Sequence, residues 1–567
     1  MKLARPREEA ASGGGRWSRA LLGWDQALRG PLTWVLGVVF GAATAVGVAV
    51  IRDGSAHWTS PWLYVTIAAL AAVFAGAVAA ARWLVERPRL RPMAVWRNRP
   101  RAFFFDWAVI WLAWTPVWLS GWPGFWCYDA ATAHRLASGH ALTTAMPPLH
   151  TFLATGVEIG VAKLTGHDNY GIAAWIMLQS VAVAAVFAFA LRRLRAWRVP
   201  RGVRWGALAY FAVFPTIALF SLNWARNTAF SAVVLALAVC TVDALKQPRR
   251  WRWWLVAALA VAAIAMRRDA VYGFILFALL AVIVRQPARK ALAACFISAA
   301  VAGLLLDPLV YKGILHLPAG NAVAAYSVPL QQLARAYNAS PSAMTPDQRA
   351  VLESYVKPEA LAVYRPQLAD PVMLGADTAR LQMDTKRFVK LWAEVGLAHP
   401  GIYADALAAN TVQGWLPGAV VDVYSVSGPD ALYPATGTSY FCYNTESPGV
   451  ADPKGPAFVH QAYAAFSSKS KVPFETPILA WLWSPATYLW LTGFAAALAW
   501  ARGRSGQPTA FLPVGLLLLA TCVPVFAGPG MLVRYFLPFF YCAPLVAAFL
   551  ADPRVFDLRR QAVTDGR

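Results

Sequence analysis

The chain has 567 residues, 58% of them hydrophobic and only 14% charged, where soluble domains carry about 25% charged residues. With 26 Trp, 29 Phe and a mean hydropathy of +0.47, its composition excludes an ordinary soluble enzyme and indicates a polytopic membrane protein. The net charge of +23 implies no nucleic-acid partner, because cytoplasmic loops of membrane proteins are enriched in Lys and Arg.

Residues 1–30 are polar and basic, and the first apolar run, near 32–51, ends on Arg52-Asp53 without a small-residue cleavage site. It reads as a spanning helix and not as a cleaved signal. A span needs about 20 mostly apolar residues. Further candidates follow near 61–81, 104–121, 172–191, 205–222, 227–244, 252–266, 271–285, 291–307, 476–499, 509–527 and 531–550, about twelve in all. The segment 149–164 is short and contains Glu158 and Lys163. Arginine placement decides how it is read. Seven Arg fall between Arg82 and Arg101, and six between Arg192 and Arg204. Smaller basic clusters lie at Lys246–Arg252, Arg285–Lys290 and Arg502–Arg504. All share one side of the membrane only if 149–164 does not cross, so the positive-inside rule makes it a re-entrant or juxtamembrane helix on the outer side.

The expected fold is therefore an all-α polytopic bundle with both termini cytoplasmic. Its expected parts are an N-terminal transmembrane module (1–307) carrying an outer loop at 122–171, an extracytoplasmic loop domain (308–475) and C-terminal transmembrane helices (476–567). The loop domain should be folded, with helices at 346–362 and 376–396 and buried-type Trp392, Trp415 and Tyr424. Of the six Cys, none forms a CxxC pair, and spacing does not decide whether outer Cys127 and Cys442 are joined.

The polar residues outside carry the chemistry. Asp129 is the only acid between Asp106 and Glu158 and follows Trp122, Phe125, Trp126 and Tyr128. A poorly solvated carboxylate should have a raised pKa, which suits a general base; Asp before Ala-Ala-Thr-Ala equally suits a helix start. Arg226, Arg267, Arg268 and Arg534 lie at outer helix ends, against the positive-inside bias. Guanidinium groups match phosphate oxygens bidentately. Arg268 and Arg534 are the favoured phosphate ligands, with Arg267 and Arg226 in support; the alternative is snorkelling to lipid phosphates or pairing with Asp269. Tyr128, His150 and Asp269 are further candidates for substrate contact. Aromatic faces outside fit an interfacial belt, and Trp126 is the one chosen for substrate contact. His134, His140 and His150 show no compact metal-ligand spacing, so no metal ligand is assigned and a divalent metal stays an open alternative. No P-loop or GxGxxG motif is present, and no cofactor is assigned. Gln331 and Gln332, in Pro329-Leu330-Gln331-Gln332, either face an acceptor or are structural.

The order Tyr128-Asp129, Gly139-His140, Pro147-Pro148-Leu149, Gly166-His167-Asp168-Asn169 resembles the C-type (GT-C) superfamily of integral-membrane glycosyltransferases, such as protein mannosyltransferases and lipid A aminoarabinose transferases. The wider chain resembles an uncharacterised bacterial family of this architecture through Pro148-Leu149-His150-Thr151, Arg226-Asn227-Thr228, Arg268-Asp269-Ala270-Val271-Tyr272, Tyr364-Arg365-Pro366 with Asp370-Pro371, and Arg534-Tyr535 with Pro538. The resemblance implies a GT-C-like bundle in a bacterial inner membrane. It implies sugar transfer at the outer face from a polyprenyl-phosphate-linked donor to a glycan, lipid or protein acceptor, with Asp129 as the loop acid. The chain departs from the mannosyltransferases, whose paired Asp-Glu here reads Asp129-Ala130, and it has no counterpart of the second, metal-binding acidic motif of oligosaccharyltransferases. The rival readings are a transporter or flippase of a lipid-linked glycan or anionic solute, and a non-catalytic envelope assembly protein.

Overall fold

The computed structural model describes residues 28, 30–86, 101–120, 122–125, 128–139, 142–285, 287–320, 322–419, 458 and 477–558. Among these residues the fold is helical, with no strands beyond isolated bridges. The chain is a multi-pass membrane protein. Seven helices are long and apolar enough to cross a membrane, or eight if the pair 201–213 and 215–221, bent by 51°, counts as one. Each of the twelve expected segments coincides with helix. Several are too short or too broken to pass on length and apolarity alone, and two of them are interrupted at Pro215 and Pro485.

The chain forms two compact units, residues 1–46 with 57–91 and residues 47–56 with 92–567. In the first, the opening part of α1 (Pro31–Asp53) meets α2 (Pro61–Glu86) through small residues, Gly37 and Gly41 against Ala71 and Ala75. Arg82 donates to Thr33 Oγ1 at 2.8 Å there.

The second unit holds every other helix. Its first helices include α3 (Arg101–Ser120), α6 (Asp168–Ala196), α7 (Arg201–Val213), α8 (Pro215–Ser221), α9 (Arg226–Lys246), α10 (Arg250–Met266), α11 (Ala270–Ile283) and α12 (Arg289–Leu305, continued as a π-helix over Leu306–Ile314). Between α3 and α6 come α4 (Tyr128–Ser138) and α5 (Pro148–Thr165). Where α3, α6, α7 and the last helix meet, Phe187 stacks on Phe211 at 4.2 Å and lies edge-on to Tyr541 and Trp114. Trp114 is fully buried and donates its indole N–H to the Phe211 carbonyl at 3.0 Å, so its polar atom is satisfied inside the apolar core.

Ion pairs gather at one end of this unit: Arg193 with Asp243 at 2.6 Å, Arg502 with Asp557 at 3.2 Å, and Arg195 with buried Asp106. At the opposite end Gln179 donates to the carbonyls of Ser221 and Asn223. The first eleven residues of α6, about 17 Å at 1.5 Å per residue, therefore stand beyond the 221–223 turn. Helix α5 packs along them as a hairpin and is not among the membrane-crossing candidates.

The described residues of the loop insert, between 322 and 419, are folded into short helices. These are α13 (Ser327–Ala339), α14 (Pro346–Glu353), α15 (Pro358–Ala362), α16 (Asp370–Leu374), α17 (Thr378–Met383), α18 (Thr385–Ala398) and α19 (Pro400–Trp415). They enclose a core of Leu330, Leu333, Tyr355, Val372, Leu381, Phe388 and Leu391. Two expected helices are each split. The run 346–362 breaks before Pro358, which disfavours helix at Lys357 (φ −59°, ψ 134°), and 376–396 breaks at Asp384, whose carboxylate accepts the Tyr355 hydroxyl at 2.8 Å. Tyr424 and Cys442 lie outside the described residues. The chain closes with α20 (Pro477–Trp483), α21 (Pro485–Arg504), α22 (Phe511–Cys522) and α23 (Leu537–Ala551).

Compactness does not divide the chain at 307 or 476, and the helical run of α12 continues past 307 to Ile314. The loop before α23 is sewn to the insert: Ser327 Oγ donates to Ala527 O at 3.0 Å, Asn410 Nδ2 to Gly528 O at 3.1 Å, and Ala369 N–H to Pro529 O at 2.6 Å, with a bridge between Leu368 and Gly530.

The α5–α6 hairpin offers a test. A Cβ on Gly171 would lie 2.1 Å from the Glu158 carbonyl oxygen, so the backbones could not keep their spacing. Gly171→Ala should destabilise the chain by about 1–3 kcal/mol through overpacking. The check is the thermal midpoint of purified protein in detergent, and an unchanged midpoint would contradict the packing described.

Candidate functional site

Three chain segments converge at the Gln179 end. The first is the loop into α4. Phe125 N–H donates to Leu222 O at 3.1 Å and Trp224 N–H to Phe125 O at 3.0 Å, tying the approach to Asp129 to the turn that starts α9. Gly124 permits this, since its φ is +149° and a Cβ would sit 2.5 Å from Ile176 Cγ1. The second is that turn itself, where Asn223 Oδ1 accepts the Ala225 N–H at 2.9 Å and Arg226 follows as the first residue of α9. The third is the short 3₁₀ turn Val533–Phe536, held from the insert as described and carrying Arg534 and Tyr535.

At the centre, the Arg534 guanidinium lies 3.5 Å from Asp129 Oδ2, with side-chain exposures of only 4% and 14%. Asp129 Oδ2 has no hydrogen-bond partner among the described residues. Burial alone would raise the Asp129 carboxyl, but Arg534 and Arg226, with a smaller share from His150, hold it below the usual carboxylate range. This corrects the raised pKa expected from isolation among aromatics: the carboxylate is desolvated but not isolated from cations. Asp129 is also the second residue of α4, within its first turn, so the helix-start role reduces to a favourable dipole interaction.

Asp370, the first residue of α16, is within electrostatic reach of both members of that pair. Burial pushes its carboxyl up to about 6, with Arg534 opposing the rise and Asp129 adding to it. Sequence reasoning quoted Asp370-Pro371 but did not place Asp370 in the site, because nothing local links residue 370 to residue 129. Only the pairing of Leu368 and Ala369 with Gly530 and Pro529 makes the connection.

Arg226 is half-buried and makes no hydrogen bond or ion pair with the described residues, although Asp129, Asp269 and His150 all feel its charge. His150 is buried edge-on to Trp175 and Trp224, at ring distances of 5.5 and 4.8 Å. Burial, reinforced by Arg226, lowers its pKa to about 3, so it is neutral at physiological pH. His134 instead faces Glu158, 3.6 Å away.

The structure separates the paired arginines of the α10–α11 turn. Arg267 forks onto Asp269 through two bonds of 2.7 Å, and its guanidinium lies 4.8 Å from the Tyr535 ring centroid, the ring that Arg534 also covers at 5.4 Å. Arg268 is turned to Asp307, 3.1 Å away, which Lys312 also contacts at 2.8 Å. Arg267, not Arg268, is thus the neighbour of Arg534, because Asp307 in the π-helix captures Arg268. The Asp269 carboxylate is committed to Arg267. Trp126, Cys127 and His140 lie outside the described residues, as does the Tyr128 side chain. Gln331 and Gln332 are internal clamps: Gln331 donates to the carbonyls of Arg365 and Pro366, and Gln332 joins Tyr403 O to the Trp392 indole.

Among the described residues no group of three or more His, Cys, Asp or Glu is placed to hold a metal ion. What the cluster offers is a carboxylate, a second and less acidic carboxyl, a neutral imidazole, and guanidinium groups of which Arg226 is uncommitted.

The chain belongs to a family of unknown function, DUF6020, whose model matches residues 130–562, most of the sequence. No curated protein and no solved structure matches it.

The raised Asp370 carboxyl has a measurable consequence. Its folded pKa of about 6 exceeds the unfolded value near 3.8, so between them the folded state binds the proton more tightly. Stability should therefore fall as pH rises from about 4 to about 6, and Asp370→Asn should flatten that slope. Asp129, with its lowered pKa, acts only below this window and with the opposite sign. Thermal midpoints of both proteins across the range give the answer, and an equal slope in the Asn variant would remove Asp370 from the charged cluster.

Proposed function

We propose that the chain is a membrane glycosyltransferase that moves a sugar from a polyprenyl-phosphate-linked donor to an acceptor at the extracytoplasmic face. The observation that carries the reading is an ionised carboxylate, Asp129, beside Arg534 and an uncommitted Arg226, at the end of the bundle away from the clustered arginines. In a GT-C-like bundle of about twelve crossings with cytoplasmic termini, the positive-inside rule makes that end the outer one.

In the proposed reaction, the donor's phosphate sits on Arg226 and Arg534, whose forks match its oxygens. Asp129 accepts the proton of the acceptor hydroxyl as that oxygen bonds to the anomeric carbon. The bond from carbon to phosphate oxygen breaks, and the electron pair leaves on the lipid phosphate, where the guanidinium groups stabilise it. Arg267, braced by Asp269, supports Arg534 across the Tyr535 ring and adds positive potential. Neutral His150, held between Trp175 and Trp224, does not compete for the phosphate. The acceptor is a glycan, lipid or protein, and Trp126 and Tyr128 stay candidates for contact with it. A lipid-linked donor needs no nucleotide.

Asp129→Asn should keep the size and polarity of the side chain and lower turnover by roughly 10²–10⁴. Arg226→Lys and Arg534→Lys should weaken donor-dependent activity, because Lys lacks the fork. Arg268→Lys, committed to Asp307, should stay close to wild type. Donor consumption and product formation by purified protein decide this. Full activity in a folded Asp129→Asn variant would end the assignment, and substrate movement without transfer would favour a transporter.

Orientation is checked separately. An impermeant thiol reagent on intact cells should label Ala350→Cys and spare Gly202→Cys, both exposed positions. The reverse pattern would place the Asp129 cluster in the cytoplasm and defeat the proposal.

A further inference from the structure

Glu158 sits on the inner face of α5 with Thr151, Ala154 and Thr155, and is only 1% exposed. Neither of its carboxyl oxygens has a hydrogen bond of good geometry among the described residues. Two groups among those residues stand beside it. His134 Nδ1, on α4, lies 3.6 Å from Oε2, and the Trp224 indole N–H is within reach. Burying a carboxylate is costly unless it is well paired. A Gln would fill the same volume without that cost, which points to a use for the charge itself.

The two neighbours belong to the segments that build the candidate site. His134 follows Asp129 by five residues on α4, about 7.5 Å along the helix at 1.5 Å per residue. Trp224 precedes Arg226 by two residues. It donates its backbone N–H to Phe125 O at 3.0 Å, and its ring lies 4.8 Å from that of His150. Helix α4 depends on such contacts for its placement. Its 11 residues fall short of the roughly 12–15 below which an isolated helix is marginal in water, and its fully buried Ala130 and Ala133 offer only methyl groups.

We propose that Glu158 is a positioning residue: by holding His134 on one side and Trp224 on the other, it fixes α4 to the turn that starts α9, and so sets Asp129 against Arg226 and Arg534. The docking of α4 is independent of any reaction, and its effect on turnover rests on the transferase reading above.

The contact depends on protonation. Glu158, with a smaller share from exposed Asp168 at the start of α6, holds the His134 imidazole above its ordinary value against the effect of burial. Burial holds the Glu158 carboxyl above its own, against His134 and Trp224. On α4, α5, α6 and the 222–226 turn, the charged groups that act on the pair are these two and Asp168. Both groups bind their protons more tightly when α4 is docked. Docking is therefore fully supported below the ordinary values of 4.5 and 6.5, and weakens as pH rises through the raised ones. Above them a buried carboxylate faces a neutral imidazole, and α4 should loosen.

The test is hydrogen exchange of the full chain in detergent, read as protection factors for peptides covering 128–138, so that the intrinsic pH dependence of exchange cancels. From about pH 5 to about pH 8.5, wild-type α4 should lose protection about tenfold while α9 stays constant. Glu158→Gln should remove that slope, as should His134→Gln, whereas Asp168→Asn should keep most of it. Constant protection of wild-type α4, or a slope that survives Glu158→Gln, would overturn the proposal. If Glu158→Gln fails to fold as judged by gel filtration, Glu158→Asp, with the charge kept and the reach shortened, should lower α4 protection at every pH. Wild-type protection in that variant would count against the proposal equally. Donor-dependent turnover of wild type should show the same fall with rising pH and lose it in Glu158→Gln. A fall that persists in the variant would remove the link from Glu158 to Asp129. Absence of transfer in wild type would end the transferase reading and leave exchange to decide the docking.

Discussion

The Arg534–Asp129 pair is the constraint around which the rest of the second unit is arranged. An Arg with 4% exposure needs carboxylates, because breaking a buried pair typically costs about 3–5 kcal/mol. The chain supplies them from two remote places, Asp129 on α4 and Asp370 on α16. Each is delivered by backbone pairing and not by its own helix: Asp129 by Phe125 against Leu222 and Trp224, Asp370 by Leu368 and Ala369 against Gly530 and Pro529. The insert is thereby an integral wall of the charged cluster.

Two carboxyls sharing one arginine do not remain equivalent. Asp129 lies near two guanidinium groups and is held low. Asp370 feels Arg534 together with the negative charge of Asp129, and burial drives it up to about 6. The same physics separates Arg267 from Arg268. One finds Asp269 and the Tyr535 ring, the other Asp307, and adjacent residues in the chain serve different ends of the turn.

Much of the architecture was legible in the sequence because apolar runs and arginine spacing are local signals. All twelve candidate segments are helical, and 149–164 is a helix that packs as a hairpin partner of α6. The insert was recognisable from residues such as Trp392, which packs, partly buried, against its core. What escaped was whatever depends on distant pairing. Asp129 looked like a lone acid because its cations are about 100 and 400 residues away in the sequence, so even the direction of its pKa was misjudged. Arg268 was favoured over Arg267 because the sequence does not reveal which of two neighbours faces Arg534 and which faces Asp307. Of the two broken helices of the insert, the break before Pro358 had a local signal in the proline itself, whereas the break at Asp384 was hidden because it goes with the distant Tyr355 hydroxyl.

On the proposed reading, a base that is already ion-paired has a specific virtue. While Asp129 faces Arg534 and Arg226 alone, it is ionised but weakly basic, and a water beside it is poorly activated. A phosphate that draws off the same guanidinium groups weakens their hold on the carboxylate and adds a negative charge nearby, and both changes raise the affinity of Asp129 for a proton. Basicity would thus appear when donor is bound, in the state where an acceptor hydroxyl is to be deprotonated. The cost is that donor binding competes with an internal ion pair, so affinity must come from elsewhere, from the lipid chain and from Arg226, which makes no ion pair with the described residues. Among the described residues Arg226 has no ion-pair partner, an arrangement unfavourable for folding alone, and a bound phosphate is the ligand that would justify it.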